Sequence, residues 1–304
     1  MQAEQSKAGN LLLGRNRDRS RRGGVAPQLG RSTLGVVRTL LIVIYGLFSI
    51  TPLLWMLVGS FSTDASIFAN STPFSLRAFV PYPFTLEGYK LLIASGFFRA
   101  LQNTVIVTLG ALILGLFVNS LAGYTFAIFN FPGKGLLFAL VMVTMALPPD
   151  VLAIPLFTLI YGIGWVGTLQ ALILPAVASG FTIFLLRQAV LGIPRSLIDA
   201  SRIDGLGWFQ IYWRIALPLI SGSLIGGGLI LTISIWQSFL WPLLVGSTLA
   251  AELIQVSLAY FQQEHTTLWN AIFAGSAIAV AVPTVLLGVM QRHFRPSLLT
   301  SGNK

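Results

Sequence analysis

Three places in this chain put polar side chains where the surrounding sequence is apolar. The first is the run Leu197 to Pro218, in which Asp199-Ala200-Ser201, Asp204-Gly205 and Leu217-Pro218 lie between two long apolar runs. The second is Asp150, an acidic residue well inside an apolar segment, directly after Pro148 and Pro149. A third group is Trp236-Gln237-Ser238. The chemistry these residues offer is recognition rather than bond making. With no cysteine in the sequence, a disulfide, a zinc–thiolate site and a thiol nucleophile are all excluded. The two histidines, His265 and His293, stand far apart, so neither a histidine metal site nor a histidine-activated nucleophile emerges. The chain is read as no enzyme, with no metal and no cofactor of its own.

Each group has a functional reading and a plainer one. A carboxylate at mid-membrane costs about 2.5–3.5 kcal/mol unless it is paired or hydrated. Prolines before Asp150 would break the helix and free carbonyls toward a cavity. Asp150 then lines a pathway and bonds solute hydroxyls, or it is a structural carboxylate near the outer interface or bonded to another subunit. Trp236, Gln237 and Ser238 suit a solute with hydroxyls and apolar C–H faces; ordinary helix packing with a polar interhelical bond is the plainer reading. Asn119 and Ser120 are read as packing. Glu252, Glu264 and His265 fall in the last outer loop, as a docking surface or a solvated turn. Gly226-Gly227-Gly228 lies inside an apolar run and reads as close helix packing or bending rather than phosphate binding.

The run over 195–218 predicts helix, glycine turn, helix. Pro194 ends the preceding span. Ser196 can cap a new helix, with Asp199 three residues on as a shortened capping box that also favours the helix N-terminus. Leu197, Ile198, Ala200 and Ile203 give a short apolar face. Gly205 permits a positive φ or a close backbone approach. Trp208 to Ile215 is amphipathic and aromatic-rich, and Pro218 starts the next span. Such a loop either anchors in lipid headgroups or fills a groove on a partner.

The elements that position these residues follow from composition. The 304 residues are 55% hydrophobic and 9% charged, with mean hydropathy +0.81, against about 25% charged in soluble domains. Six apolar segments, Leu34–Phe61, Phe97–Ala122, Leu136–Tyr161, Leu169–Leu191, Ala216–Gly246 and Leu268–Gln291, each reach the roughly 20 residues that cross a hydrocarbon core as helix. The fold class is therefore all-α and polytopic, with a basic, disordered cytoplasmic tail over 1–33, a six-helix membrane domain over 34–295 and a short cytoplasmic tail over 296–304. With the N-terminus inside, 16 of the 19 basic residues are cytoplasmic, leaving Arg77, Lys90 and Arg99 outside. The positive-inside rule fixes that orientation, with both termini and the 195–218 loop in the cytoplasm. The net charge of +10 then answers lipid headgroups rather than nucleic acid. The outer stretch Ser62–Gly96 predicts turns and one short amphipathic helix.

The spacing Asp199-Ala200-Ser201, three residues, Gly205, nine residues, Ile215-Ala216-Leu217-Pro218 resembles the EAA loop of ATP-binding-cassette (ABC) importer permeases, with Asp for the family's Glu and Ser for its second Ala. The resemblance extends through Leu101-x-Asn103-Thr104, Tyr124-x-Phe126-Ala127-x-Phe129-x-Phe131-x-Gly133, Ile154-Pro155-Leu156-Phe157, Phe184-Leu-Leu-Arg-Gln188, Trp236-Gln-Ser-Phe-Leu-Trp-Pro-Leu243 and Gln291-Arg292-His293-Phe294. These cover roughly 95–295 and are similar to the maltose-transporter-like carbohydrate permeases. The resemblance implies a type I importer permease fold in a prokaryotic cell membrane. It implies a second, different permease subunit, two ABC ATPase subunits holding ATP and Mg, and an extracytoplasmic sugar-binding protein. Asp199, Ala200, Ser201, Asp204, Gly205 and Pro218 become the ATPase-coupling residues. Asp150, Trp236, Gln237 and Ser238 become candidates for the substrate pathway. The chain has no G-x-x-x-x-G-K-S/T motif for phosphate binding. The same architecture importing glycerol-phosphate or another polyol stays open. A secondary transporter is the second alternative; it would need paired intramembrane charges or inverted repeats.

Overall fold

A computed structural model describes residues 29–69, 75–246, 248, 250–262 and 267–290. Of the tail expected over 1–33, residues 1–28 lie outside the described residues and 29–33 are helical; the tail over 296–304, Glu264, His265 and the terminal Gln-Arg-His-Phe also lie outside them. The chain meets its backbone hydrogen bonds within helices, as an apolar sequence bound for lipid must. Among the described residues there is no strand, only an isolated bridge between Gln262 and Thr267.

Residues to Leu53 form one compact unit and those from Leu54 another. Helix α1, Leu29–Gly59, begins in the first. None of residues 35–53 is buried, although Val36, Leu40, Val43 and Leu47 are apolar, the pattern of a helix whose surroundings come from lipid or another protein.

The second unit is built on α4, Phe97–Ile128. Before it come α2 (Asp64–Ala69), a 3₁₀ turn over Leu76–Phe79 and α3 (Glu87–Ala94). The stretch over 62–96 thus holds two short helices and a 3₁₀ turn where one helix was expected. Then follow α5 (Lys134–Ala146), a 3₁₀ turn over Pro149–Leu152, α6 (Ala153–Gly162), α7 (Leu169–Val177) and α8 (Gly180–Leu191). Next are α9 (Arg195–Ile203), α10 (Trp208–Leu219), α11 (Ser221–Trp236), α12 (Leu240–Val245), α13 (Ile254–Ala259) and α14 (Trp269–Met290).

Among the described residues three helices are long and apolar enough to cross a membrane, or up to six spans result if each bent pair is counted as one. The breaks have local causes. The third span turns by 104° between Ala146 and Pro149, where paired prolines remove N–H donors and force Leu147 and Pro148 into extended backbone. The fourth bends by 41° after Val177, next to Pro175. The fifth bends by 80° at Ile220, after a π-turn over Tyr212–Ala216 and Pro218. The segment expected as one helix over Ala216–Gly246 is therefore corrected: it ends at Trp236, and α12 follows a three-residue break.

Packing around α4 is close. A Cβ on Gly123 would lie 2.9 Å from the Arg187 backbone nitrogen, so this glycine lets α4 and α8 touch backbone to backbone. Three apolar clusters result. One joins Val107 and Ala111 to Ile160, Leu172, Leu231 and Val245. A second holds Tyr124, Leu186, Val190, Ile198, Ile211 and Tyr212 beneath the 195–218 loop. The third sets Leu92 and Phe97 against Ile254, Phe261, Ala271 and Ala274.

Candidate functional site

The 195–218 run folds as helix, glycine turn, helix. The helix α9 starts at Arg195, directly after Pro194, with no side-chain cap bond. This corrects the expected capping box. Pro194 at φ −56° takes the N-cap position and launches the helix two residues early, so Ser196 already lies inside the first turn and Asp199 falls beyond it. At the other end the backbone makes a Schellman motif. Leu206 N–H donates to Ser201 O at 3.1 Å, and Gly205 N–H donates to Arg202 O at 3.1 Å. Gly205 has φ +84°, and nothing lies within 4 Å of where its Cβ would be. Of the two roles open to this glycine, the positive φ is the one it fills.

One face of α9 packs inward and the rest faces out. Ile198 and Ser201 are buried, and the Ser201 hydroxyl donates to Leu197 O at 2.7 Å. Asp199, Ala200, Asp204 and Gly205 are exposed, and Ile203 at the tip is 86% exposed. A large aliphatic side chain so bare at a helix end is what a partner's groove would cover. The contacts that place this tip were not read from the sequence. Arg202 lies 4.5 Å over the Trp208 ring and donates from Nη1 to Leu206 O at 2.8 Å, bracing the glycine turn from both sides. Gln210 Oε1 accepts from Gly207 N–H at 2.9 Å. Trp208 packs edge-on to Phe129 at 5.0 Å, and its carbonyl accepts from the Tyr124 hydroxyl at 3.2 Å. Tyr212 is fully buried, and its hydroxyl shares a 2.8 Å bond with Ser120 Oγ. The loop is thus riveted to the end of α4 by Tyr124 and Tyr212, whose rings sit 5.3 Å apart. The Tyr-x-Phe-Ala segment was the available signal. Pro218 is exposed at the bend and belongs to the same unit.

The pathway candidates do not gather at one point. Trp236 is buried at the end of α11, and its indole N–H donates to Ala279 O at 3.0 Å. Its carbonyl accepts from Gln255 Nε2 at 3.3 Å. Gln237 is exposed and Ser238 half-buried in the break that follows. Asp150 is exposed in the 3₁₀ turn of the third span. Asn119 is fully buried: its Nδ2 donates to Val177 O at 2.9 Å, and its Oδ1 accepts from Ser179 N–H at 3.0 Å. It clamps the bend of the fourth span, as packing predicts. Asn103 Nδ2 donates to Glu252 O at 3.1 Å, and Thr104 Oγ1 accepts from Ile254 N–H at 2.9 Å, so the Asn-Thr pair holds the segment that leads into α13. Among the described residues no cluster of three or more His, Asp or Glu could hold a metal.

Residues 111–300 match the family described as binding-protein-dependent transport system inner membrane component. An arabinooligosaccharides transport system permease protein of Halalkalibacterium halodurans is 29% identical over 84% of this chain and 91% of its own length. An sn-glycerol-3-phosphate transport system permease protein of Brucella suis is 29% identical over 85% of this chain and 94% of its own. In fold, the chain superposes on a subunit of a bacterial ABC transporter involved in the import of the acidic polysaccharide alginate. The TM-score is 0.75 at 19% identity, over 87% of this chain and 98% of the other.

Proposed function

The chain belongs to the family of binding-protein-dependent transport system inner membrane components, and from that membership we propose that it is one of two different permease subunits in a carbohydrate importer. The exposed α9–Gly205 tip is its contact with an ABC ATPase subunit, and both termini lie on that cytoplasmic side of a prokaryotic cell membrane. ATP and Mg belong to two such ATPase subunits, and an extracytoplasmic protein delivers the solute. ATP-driven closure of the ATPases moves the tip, and the rivets at Tyr124 and Tyr212 pass that motion to α4 and the bundle.

One observation carries this reading. Ile203 stands 86% exposed at the end of a helix that a Schellman turn, Arg202 and two buried tyrosines hold in place. A solvated loop has no use for an apolar tip held so firmly. The carbohydrate assignment rests on the sequence resemblance and on the arabinooligosaccharide relative. Glycerol-phosphate is the second reading, favoured by the glycerol-3-phosphate relative.

Co-purification in mild detergent from the native membrane tests the assembly. An ABC ATPase, a second permease and a solute-binding protein are expected with the chain. The captured binding protein, titrated with sugars and with glycerol-3-phosphate, decides between the two solutes. Recovery of the chain alone across detergents would point instead to a self-sufficient carrier.

A further inference from the structure

Two tryptophans flank the break in the fifth span. Trp236 is the last residue of α11 and Trp241 the second of α12, with Gln237, Ser238 and Phe239 between them. Each indole N–H donates to a backbone carbonyl of another helix. Trp236 donates to Ala279 O in α14 and Trp241 to Ala171 O in α7, both at 3.0 Å. The two carbonyls share one property. In an α-helix the carbonyl of residue i accepts the N–H of residue i+4. Four residues beyond Ala279 and Ala171 stand Pro283 and Pro175, which have no N–H to give. Both prolines lie inside their helices. Both alanines are buried, so neither vacant carbonyl can turn to water. Each indole therefore supplies the donor that a proline in a neighbouring helix lacks.

Proline gaps and short breaks are where a packed helix can bend without parting its own amide bonds. The second unit sets such places side by side in three spans: the Pro175 gap of the fourth, the break at 237–239 in the fifth and the Pro283 gap of the sixth. The indoles tie the middle one to both others. Further bonds fix the same parts. Gln255 Nε2 of α13 donates to Trp236 O at 3.3 Å. Gly167 N–H, just ahead of α7, donates to Val245 O at the end of α12 at 2.7 Å. The end of α11 is thus held to α13 and α14, and α12 is held to α7. An amide donor would keep each gap's hydrogen bond within its own helix. An indole donor makes the shape of one helix depend on the position of another.

We infer that Trp236 and Trp241 are positioning residues of transport. By filling the proline gaps of the sixth and fourth spans, they lock those gaps and the break at 237–239 into one joint, which shifts as a unit when the ATPases close. This rests on the importer reading above and adds to it the part of the chain that changes shape.

Substitutions of two kinds test it in the assembled importer. Trp236→3-benzothienylalanine and Trp241→3-benzothienylalanine exchange the indole N–H for sulfur and keep the shape of the ring. Pro283→Ala and Pro175→Ala return the helical N–H and release the indole. Uptake into proteoliposomes is measured per assembled importer against the concentration of solute-loaded binding protein. Each single variant should lower the maximal rate about tenfold, the scale of one buried hydrogen bond, and leave the half-saturating concentration unchanged. The matched pairs, Trp236 with Pro283 and Trp241 with Pro175, should be no slower than their single variants. The crossed pairs should be slower than either. A full maximal rate in the benzothienyl variants would overturn the inference. So would a full rate in Pro283→Ala and Pro175→Ala, which leaves the indoles only the structural role of meeting bare carbonyls. Equal losses in matched and crossed pairs would overturn it too. The alanine variants, with a better helix former in place of proline, decide the matter even where a tryptophan variant does not assemble. ATP hydrolysis stimulated by the binding protein, measured in the unchanged importer, reports the importer reading separately.

Discussion

Gly205 shows how much one residue decides here. Its φ of +84° closes the Schellman turn, and the space around it is empty. Any L side chain therefore fits sterically and is resisted by the backbone alone, at about 1–2 kcal/mol. Gly205→Ala should keep the chain inserted but weaken ATPase association, while Gly205→Asn, which tolerates the left-handed region, should keep more of it. Gly205→Asp adds a charge to the apolar tip and should abolish the association; co-purified ATPase, quantified per inserted chain, ranks the three. Tyr212→Phe removes the bond to Ser120 and no packing. A loss of about 0.5–1.5 kcal/mol is expected, seen as a lower midpoint in thermal unfolding of the purified importer. Equal ATPase recovery from all three Gly205 variants would count against the turn as the determinant of coupling.

The helices explain what these residues can do, chiefly through their breaks. The bend of the fourth span depends on Asn119, which serves Val177 O and Ser179 N–H at once. Asn119→Ala leaves both backbone groups unmet in an apolar setting, at about 1–3 kcal/mol each, and should destabilise the importer more than Tyr212→Phe does. A smaller shift than that of Tyr212→Phe would show that the bend holds without the clamp. The six apolar runs and the helix–glycine–helix loop were legible in the sequence, because length, apolarity and the Gly205 spacing are local signals. The elbow at Pro148-Pro149 was legible too, since proline breaks helices wherever it stands. The capping box at Ser196 was misread because Pro194 starts the helix by itself. The end of α11 at Trp236 was missed because the apolar run resumes directly after Gln237 and Ser238. Its cause is tertiary, with the indole tied to Ala279 and the carbonyl to Gln255. The contacts of Arg202, Tyr124 and Tyr212 escaped for the same reason: their partners are distant in sequence or across a turn.

At the scale of the molecule, the described chain joins an exposed tip at one end of α4 to the bend of the fourth span, which Asn119 of α4 clamps. The Tyr124 and Tyr212 rivets connect the tip to α4, and the Asn119 clamp connects α4 to the bend against which α5 packs. Motion imposed at the tip thus has a packed route to α5 and the bend of the fourth span. The central claim is that the α9 tip seats in an ABC ATPase, and a cross-link tests it most directly. Ile203→Cys is the single thiol in this chain, in the full importer with an ATPase cysteine placed in its groove. The account predicts a disulfide or short-linker adduct of the two subunits, formed at the tip and absent for a control cysteine at Ile113, which is 66% exposed on the side of α4. An Ile203→Cys importer that reacts freely with soluble thiol reagents but never cross-links to the ATPase would contradict it.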